Sequence, residues 1–129
     1  MSSKTILLID DEADIREVVQ MSLELSDFGR EWKAIAAASG NEGLELARQH
    51  QPDAILLDVM MPDIDGPTTL KKLKADPTTQ SIPVIFLTAK LRTKDPHRYK
   101  ELGVVTVLEK PFDPLSLADE IAKALAWKS

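Results

Sequence analysis

Five short apolar runs divide the chain, each separated from the next by polar turns and a stretch with a different rhythm. Thr5-Ile6-Leu7-Leu8-Ile9, Ala54-Ile55-Leu56-Leu57 and Ile82-Pro83-Val84-Ile85-Phe86-Leu87 are almost continuously apolar, as strands covered on both faces are. Val104 to Leu108 is a β-branched fourth run. Trp32 to Ala38 contains four alanines, which are poor strand formers, and is placed as a strand because it lies between two helical stretches.

Between these runs the apolar positions fall at helical spacing. Glu12-Ala13-Asp14 puts acids in an opening turn, where they meet the positive end of a helix dipole, and Ile15, Val18, Val19, Leu23 and Leu25 carry the pattern to about Phe28, before Gly29 ends it. Gly40-Asn41 opens a second helix through His50, with Leu44 and Ala47 inward, and Gln51-Pro52-Asp53 turns the chain into the central run. Pro67 suits the first position of a third helix, in which Leu70 and Leu73 face inward while Lys71, Lys72 and Lys74 face water; Asp76-Pro77 stops it. Asp95-Pro96 caps a short fourth helix to about Leu102, released by Gly103. Asp113-Pro114 starts the last, with Leu117, Ala118, Ile121 and Leu125 on one face.

Strand and helix thus alternate without internal repeat or linker, which predicts an α/β domain: a doubly wound, five-stranded parallel sheet with helices on both faces. Right-handed crossovers reach both faces only if the strand order reverses. The flavodoxin-like order 2-1-3-4-5, adopted from known doubly wound sheets rather than derived from this chain, puts the reversal between strands one and three. A single domain over residues 1–129 is expected, with its core at about 4–126 and no output domain, because the final helix ends close to Ser129.

Composition narrows the function. The 129 residues suffice for one hydrophobic core, and the absence of Cys excludes disulfides and thiolate metal sites and accords with a cytoplasmic location. A formal charge of −5, from 16 basic and 21 acidic residues, argues against direct binding to nucleic acid. No apolar run approaches the roughly 20 residues that span a bilayer, so no membrane insertion is expected.

The chemistry lies at the strand ends. Run one ends in Asp10-Asp11 and run three in Asp58, so both deliver carboxylates to one edge of the sheet. Neighbouring carboxylates repel by about 4 kcal/mol at ~4 Å and an effective dielectric near 20, so a cation belongs among them. An all-oxygen site suits a hard divalent ion, Mg²⁺ above all. Thr88 offers a hydroxyl donor and Lys110 an ammonium, which together with a metal and a carboxylate suit phosphoryl transfer onto that carboxylate.

Asp10-Asp11, Asp58 with Met61-Pro62 and Asp65-Gly66, Thr88-Ala89, and Lys110-Pro111-Phe112 together resemble the receiver domain of two-component response regulators, the group that includes the chemotaxis receivers. The resemblance covers about residues 4 to 126. It implies that Asp58 accepts a phosphoryl group from a histidine kinase or histidine phosphotransfer domain. It implies that Asp11, Asp58 and the backbone carbonyl of Met60 bind Mg²⁺, for which Mn²⁺ can substitute, with Asp10 acting through water. Thr88 and Lys110 would hold the phosphoryl oxygens, and Lys110-Pro111 would be cis. A downstream protein would dock on the face formed by residues 90–128. Met60 and Lys90 would flank the mouth of the pocket and influence the lifetime of the phosphoryl group. One position departs from the pattern: the family often has an aromatic three residues before the lysine, where this chain has Val107, so activation is either small or carried by Lys90 to Asp95.

Plainer readings stand beside these. Asp10 and Asp11 could cap a helix, and Thr88 and Lys110 are ordinary residues in isolation. His50 and His97 are read as solvated, Arg92, Lys94, Arg98 and Lys100 as a solvated face, and Tyr99 and Trp127 as partner anchors at most. An aspartyl phosphatase of the haloacid-dehalogenase type would carry a second Asp where Met60 stands. A flavodoxin-like nucleotide binder would want a phosphate-cradling loop where Asp10-Asp11-Glu12 repels anions.

Overall fold

Strand β1 (Lys4–Ile9) lies between β2 (Trp32–Ala37) and β3 (Ala54–Asp58), and the sheet continues through β4 (Val84–Ala89) to β5 (Thr106–Lys110). All pairings are parallel, in the order β2-β1-β3-β4-β5, so the order reverses between β1 and β3 as expected. Helices α1 (Ala13–Leu25), α2 (Gly40–His50), α3 (Gly66–Ala75), α4 (Pro96–Glu101) and α5 (Leu117–Ala124) alternate with the strands. The structure, a computed structural model, describes residues 4–25, 32–89 and 96–127.

Strand alternation divides the core. Ile6, Leu8, Leu56, Ile85 and Leu87 face α1 and α5, where Val19, Leu23, Leu117 and Ile121 cover them. Leu7, Ile9, Ile55, Leu57 and Phe86 face the opposite side, against Leu44 and Ala47 of α2 and Leu70 and Leu73 of α3. Every residue of β3 is buried, which is why its sequence is apolar until Asp58. The alanine-rich run forms an edge strand, held by full register with β1 from Lys4↔Trp32 to Ile9↔Ala37; pairing outweighs its weak propensity.

Several boundaries move. β4 begins at Val84, because Pro83 has no N–H for the ladder, although Ile82 stays buried. β5 begins at Thr106 and runs to Lys110, beyond the β-branched run, because it pairs with β4 as far as Ala89↔Lys110. Residues 114–116 form a turn before α5 rather than its first turn. The expected end of α1 near Phe28 and Gly29 lies outside the described residues. Lys74 is half-buried, with Nζ 3.3 Å from the Gln80 carbonyl, and does not simply face water.

Tyr99 and Trp127, both half-buried, are engaged in packing. Tyr99 meets Phe86 edge-on at 5.2 Å between ring centroids. Trp127 meets Trp32 edge-on at 5.5 Å, with Lys4 Nζ 4.7 Å above its ring, so the end of α5 is fastened to the start of β1 and β2. His50 is exposed on α2, as expected, whereas the His97 and Arg98 side chains and all of Arg92 and Lys94 lie outside the described residues.

Candidate functional site

Asp10 immediately follows β1, and Asp58 and Lys110 are the last residues of β3 and β5, so the sheet brings three ionisable groups to one edge. Leu8, Leu56 and Leu108 lie two residues before them and all belong to the α1/α5 side, so period-two alternation turns Asp10, Asp58 and Lys110 to that same side. Lys110 Nζ is 2.8 Å from Asp10 Oδ2, 3.3 Å from Asp58 Oδ1 and 3.3 Å from Glu12 Oε1. Asp10 is fully buried and Asp58 is 4% exposed, so water screens this cluster poorly. The exposed Asp11 completes it: one carboxylate oxygen from each of Asp10, Asp11 and Asp58 falls within 4.8 Å of the others.

Both buried acids are held by an Asx-type contact two residues ahead. Glu12 N–H donates to Asp10 Oδ1 at 2.9 Å, and the Met60 N–H donates to the Asp58 carboxyl. Arg16 Nη1 donates to the Asp10 carbonyl at 2.9 Å, pinning the turn from β1 into α1. Gly66 closes the other wall. Its N–H donates to the Val59 carbonyl at 2.8 Å, and a Cβ there would lie 2.7 Å from the Asp58 carbonyl oxygen, so only glycine permits the approach.

Charge and burial work against each other here. Burial first, and the Asp10 charge second, push the Asp58 carboxyl up to about 6, with Lys110 and the Met60 N–H pulling in the other direction. Burial also raises Asp10, against the pull of Lys110 and the Glu12 N–H. Burial would lower Lys110, but its hydrogen bond to Asp10 and the charges of Asp10 and Asp58 outweigh this and raise it. One ammonium among four carboxylates leaves the cluster negative, and its donors are all hard oxygens. The group therefore fits a divalent cation, which would relieve the like-charge cost that Asp58 carries.

The expected residues divide into four sets. Asp10, Asp11, Asp58 and Lys110 are brought together. Thr88 is buried at the end of β4, one residue beyond Leu87, the register partner of Asp58, with its hydroxyl 3.5 Å from the Ala89 carbonyl. Met60 is 54% exposed in the loop directly after β3. Lys90 lies outside the described residues. The bond between Lys110 and Pro111 is cis, as the resemblance implied. Sequence reasoning missed the ion pair of Glu12 with Lys110, having read Glu12 only as meeting the helix dipole and repelling anions. It also missed the N–H groups of Glu12 and Met60, each two residues after an Asp, a spacing that signals such contacts.

A doubly wound sheet with acids and a lysine gathered beside its order reversal defines a class of phosphate- and cation-handling domains. The model of the response regulator receiver domain matches residues 6–122, and the chain belongs to that family, the phosphorylation-controlled switches of two-component signalling. The response regulator Rre1 of Synechocystis is 40% identical over 122 residues, which are 95% of this chain and 52% of that protein. The phosphate regulon transcriptional regulatory protein PhoB of Pseudomonas aeruginosa is 34% identical over 125 residues, 97% of this chain and 53% of that protein. The solved structure of the chemotaxis response regulator CheY4 of Vibrio cholerae superposes with a TM-score of 0.82 at 26% identity, covering 95% of this chain and 99% of that one. The chain spans about half the length of the curated relatives it matches. Among the described residues no helix is long and apolar enough to cross a membrane.

Proposed function

We propose that Asp58 is the phosphoryl acceptor of this receiver, taking the group from a phosphohistidine of a histidine kinase or histidine phosphotransfer domain. An Asp58 carboxylate oxygen attacks phosphorus, the P–N bond breaks, and its electron pair leaves with the imidazole. Asp11, Asp58 and the Met60 carbonyl would hold Mg²⁺, with Asp10 behind them through water. Bound there, Mg²⁺ supplies neutralisation of the phosphoryl oxygens. Lys110 offers a second positive charge and Thr88 a hydroxyl donor, and its escape from the Ala89 carbonyl costs little at 3.5 Å. The observation that carries the reading is the buried Asp58 carboxyl 3.3 Å from Lys110 Nζ and within the three-aspartate cluster.

The usual aromatic switch position is Val107, half-buried beside Phe86. Tyr99 of α4 packs edge-on against the same Phe86, which stands two residues before Thr88, and lies on the same face of the sheet as Val107. Movement of Thr88 thus reaches α4 through β4, and the face of residues 90–128 carries the altered surface to a protein target. The domain itself transmits a signal rather than turning over a substrate, makes no direct contact with nucleic acid, and works in the cytoplasm.

Acetyl phosphate with Mg²⁺ should add one phosphoryl mass to the intact protein under conditions that preserve acyl phosphates, and cognate kinases should do so faster. An unchanged mass in both reactions refutes the assignment. Because Asp58 titrates at about 6, Mg²⁺ affinity should fall as pH drops through that value, since the protonated carboxyl offers no charge. Calorimetric titration from about pH 8 to about pH 5 measures this, and a flat profile would contradict it.

A further inference from the structure

The loop from Val59 to Asp65 carries Met60, and its far end is tied to a helix that has no part in the acidic cluster. Asp63 Oδ1 accepts from the Gly40 N–H at 3.1 Å, and Asp63 Oδ2 accepts from the Asn41 N–H at 3.0 Å. These are the first two N–H groups of α2, which have no partner within a helix. The next two are satisfied locally, Glu42 N–H by Ser39 Oγ at 3.1 Å and Gly43 N–H by the Ser39 carbonyl at 2.9 Å. The cap of α2 is therefore shared: Ser39 completes it from within, and Asp63 completes it from the loop, 23 residues from Gly40. Ile64 presses on the same spot, so that a Cβ at Gly40 would collide with it. Slight burial would raise the Asp63 carboxyl, but the N–H groups of Asn41, Ile64 and Gly40 hold it below the usual range.

At its near end the loop is held by Val59 N–H on the Leu87 carbonyl at 3.0 Å and by Gly66 N–H on the Val59 carbonyl at 2.8 Å. Met60, Met61 and Pro62 thus bridge two anchors, one on β4 and one on α2. We propose that Asp63 is a positioning residue for the Asp58 site, its carboxylate clamping the loop to α2 so that the Met60 backbone is held over the acidic cluster. The inference rests on the reading of Asp58 and Mg²⁺ given above. It extends it to a residue that reaches neither the ion nor the phosphoryl group.

The test compares Asp63→Ala with Ser39→Ala, which removes a bond from the same helix cap without touching the loop. Both should lower the melting temperature. Only Asp63→Ala should weaken Mg²⁺ binding in calorimetric titration, by about tenfold, and only it should speed amide hydrogen exchange at residues 59–61. Should Asp63→Ala fail to fold, Asp63→Asn, which keeps one acceptor oxygen, should show a smaller weakening of the same kind. Unchanged Mg²⁺ affinity, or an equal loss in Ser39→Ala, overturns the proposal. Were the unaltered protein to bind no Mg²⁺, the reading of the Asp58 site would fall, and exchange at residues 59–61 would decide the clamp alone.

Discussion

Asp58→Asn will abolish phosphoryl uptake and, in the absence of metal, make the protein more stable. The first effect follows from chemistry: the amide has no anionic oxygen with which to attack phosphorus. The second follows from the environment of the carboxyl. Burial and the Asp10 charge raise it from 3.8 to about 6, so the folded protein favours its protonated form. Stability from this group is complete below the unfolded value of about 3.9 and is lost as pH rises through about 6. At about pH 7.5 the ionised carboxylate costs the fold on the order of 3 kcal/mol, an upper figure from the same shift. The near-isosteric amide removes that cost, while Lys110 keeps Asp10 at 2.8 Å and Glu12 at 3.3 Å. Urea unfolding without metal at about pH 7.5 should show a gain of about 1–3 kcal/mol that fades toward about pH 4. Mg²⁺ should then stabilise the natural protein and not the variant, narrowing or reversing the order. A metal-free variant less stable than the natural protein at the higher pH would contradict this electrostatic account.

The same site shows how much the chain discloses before it folds. Asp58 and Asp10 were legible because an apolar run that ends in an acid has one economical explanation, a buried strand delivering its charge to a crevice. Lys110 was legible as a strand-end cation, but its strand was placed two residues early, because β-branched residues mark propensity while the ladder with β4 sets the actual ends. Glu12 and Asp63 were not legible as site residues. Each acts through a contact fixed by the meeting of elements far apart in sequence, Glu12 with Lys110 and Asp63 with Gly40. The ring contacts of Tyr99 with Phe86 and of Trp127 with Trp32 were not legible either, because each joins two elements that only the fold brings together. Periodicity identifies the elements and the carboxylates at their ends, while tertiary pairing decides which polar groups are shared among them.

Lys110→Met is expected to act with the opposite sign to Asp58→Asn and with a larger magnitude. The ammonium is 12% exposed and is the cation that touches Asp10, Asp58 and Glu12 together. A methionine fills much of the volume but leaves two buried carboxyls facing each other without compensation, a change that typically costs 3–5 kcal/mol. Both acids should then titrate higher than in the natural protein, because the interactions that lower them come chiefly from Lys110. The loss should therefore be greatest at about pH 8 and shrink as pH falls and the acids take up protons. Millimolar Mg²⁺ should restore part of the stability in urea titrations, since a divalent ion supplies the missing charge, while phosphoryl uptake stays low. Adding Asp58→Asn to Lys110→Met should recover more stability than Asp58→Asn gains alone, because the amide then removes a charge that no longer has a partner. Strict additivity of the two changes would mean that Lys110 and Asp58 do not interact energetically, despite the 3.3 Å between them.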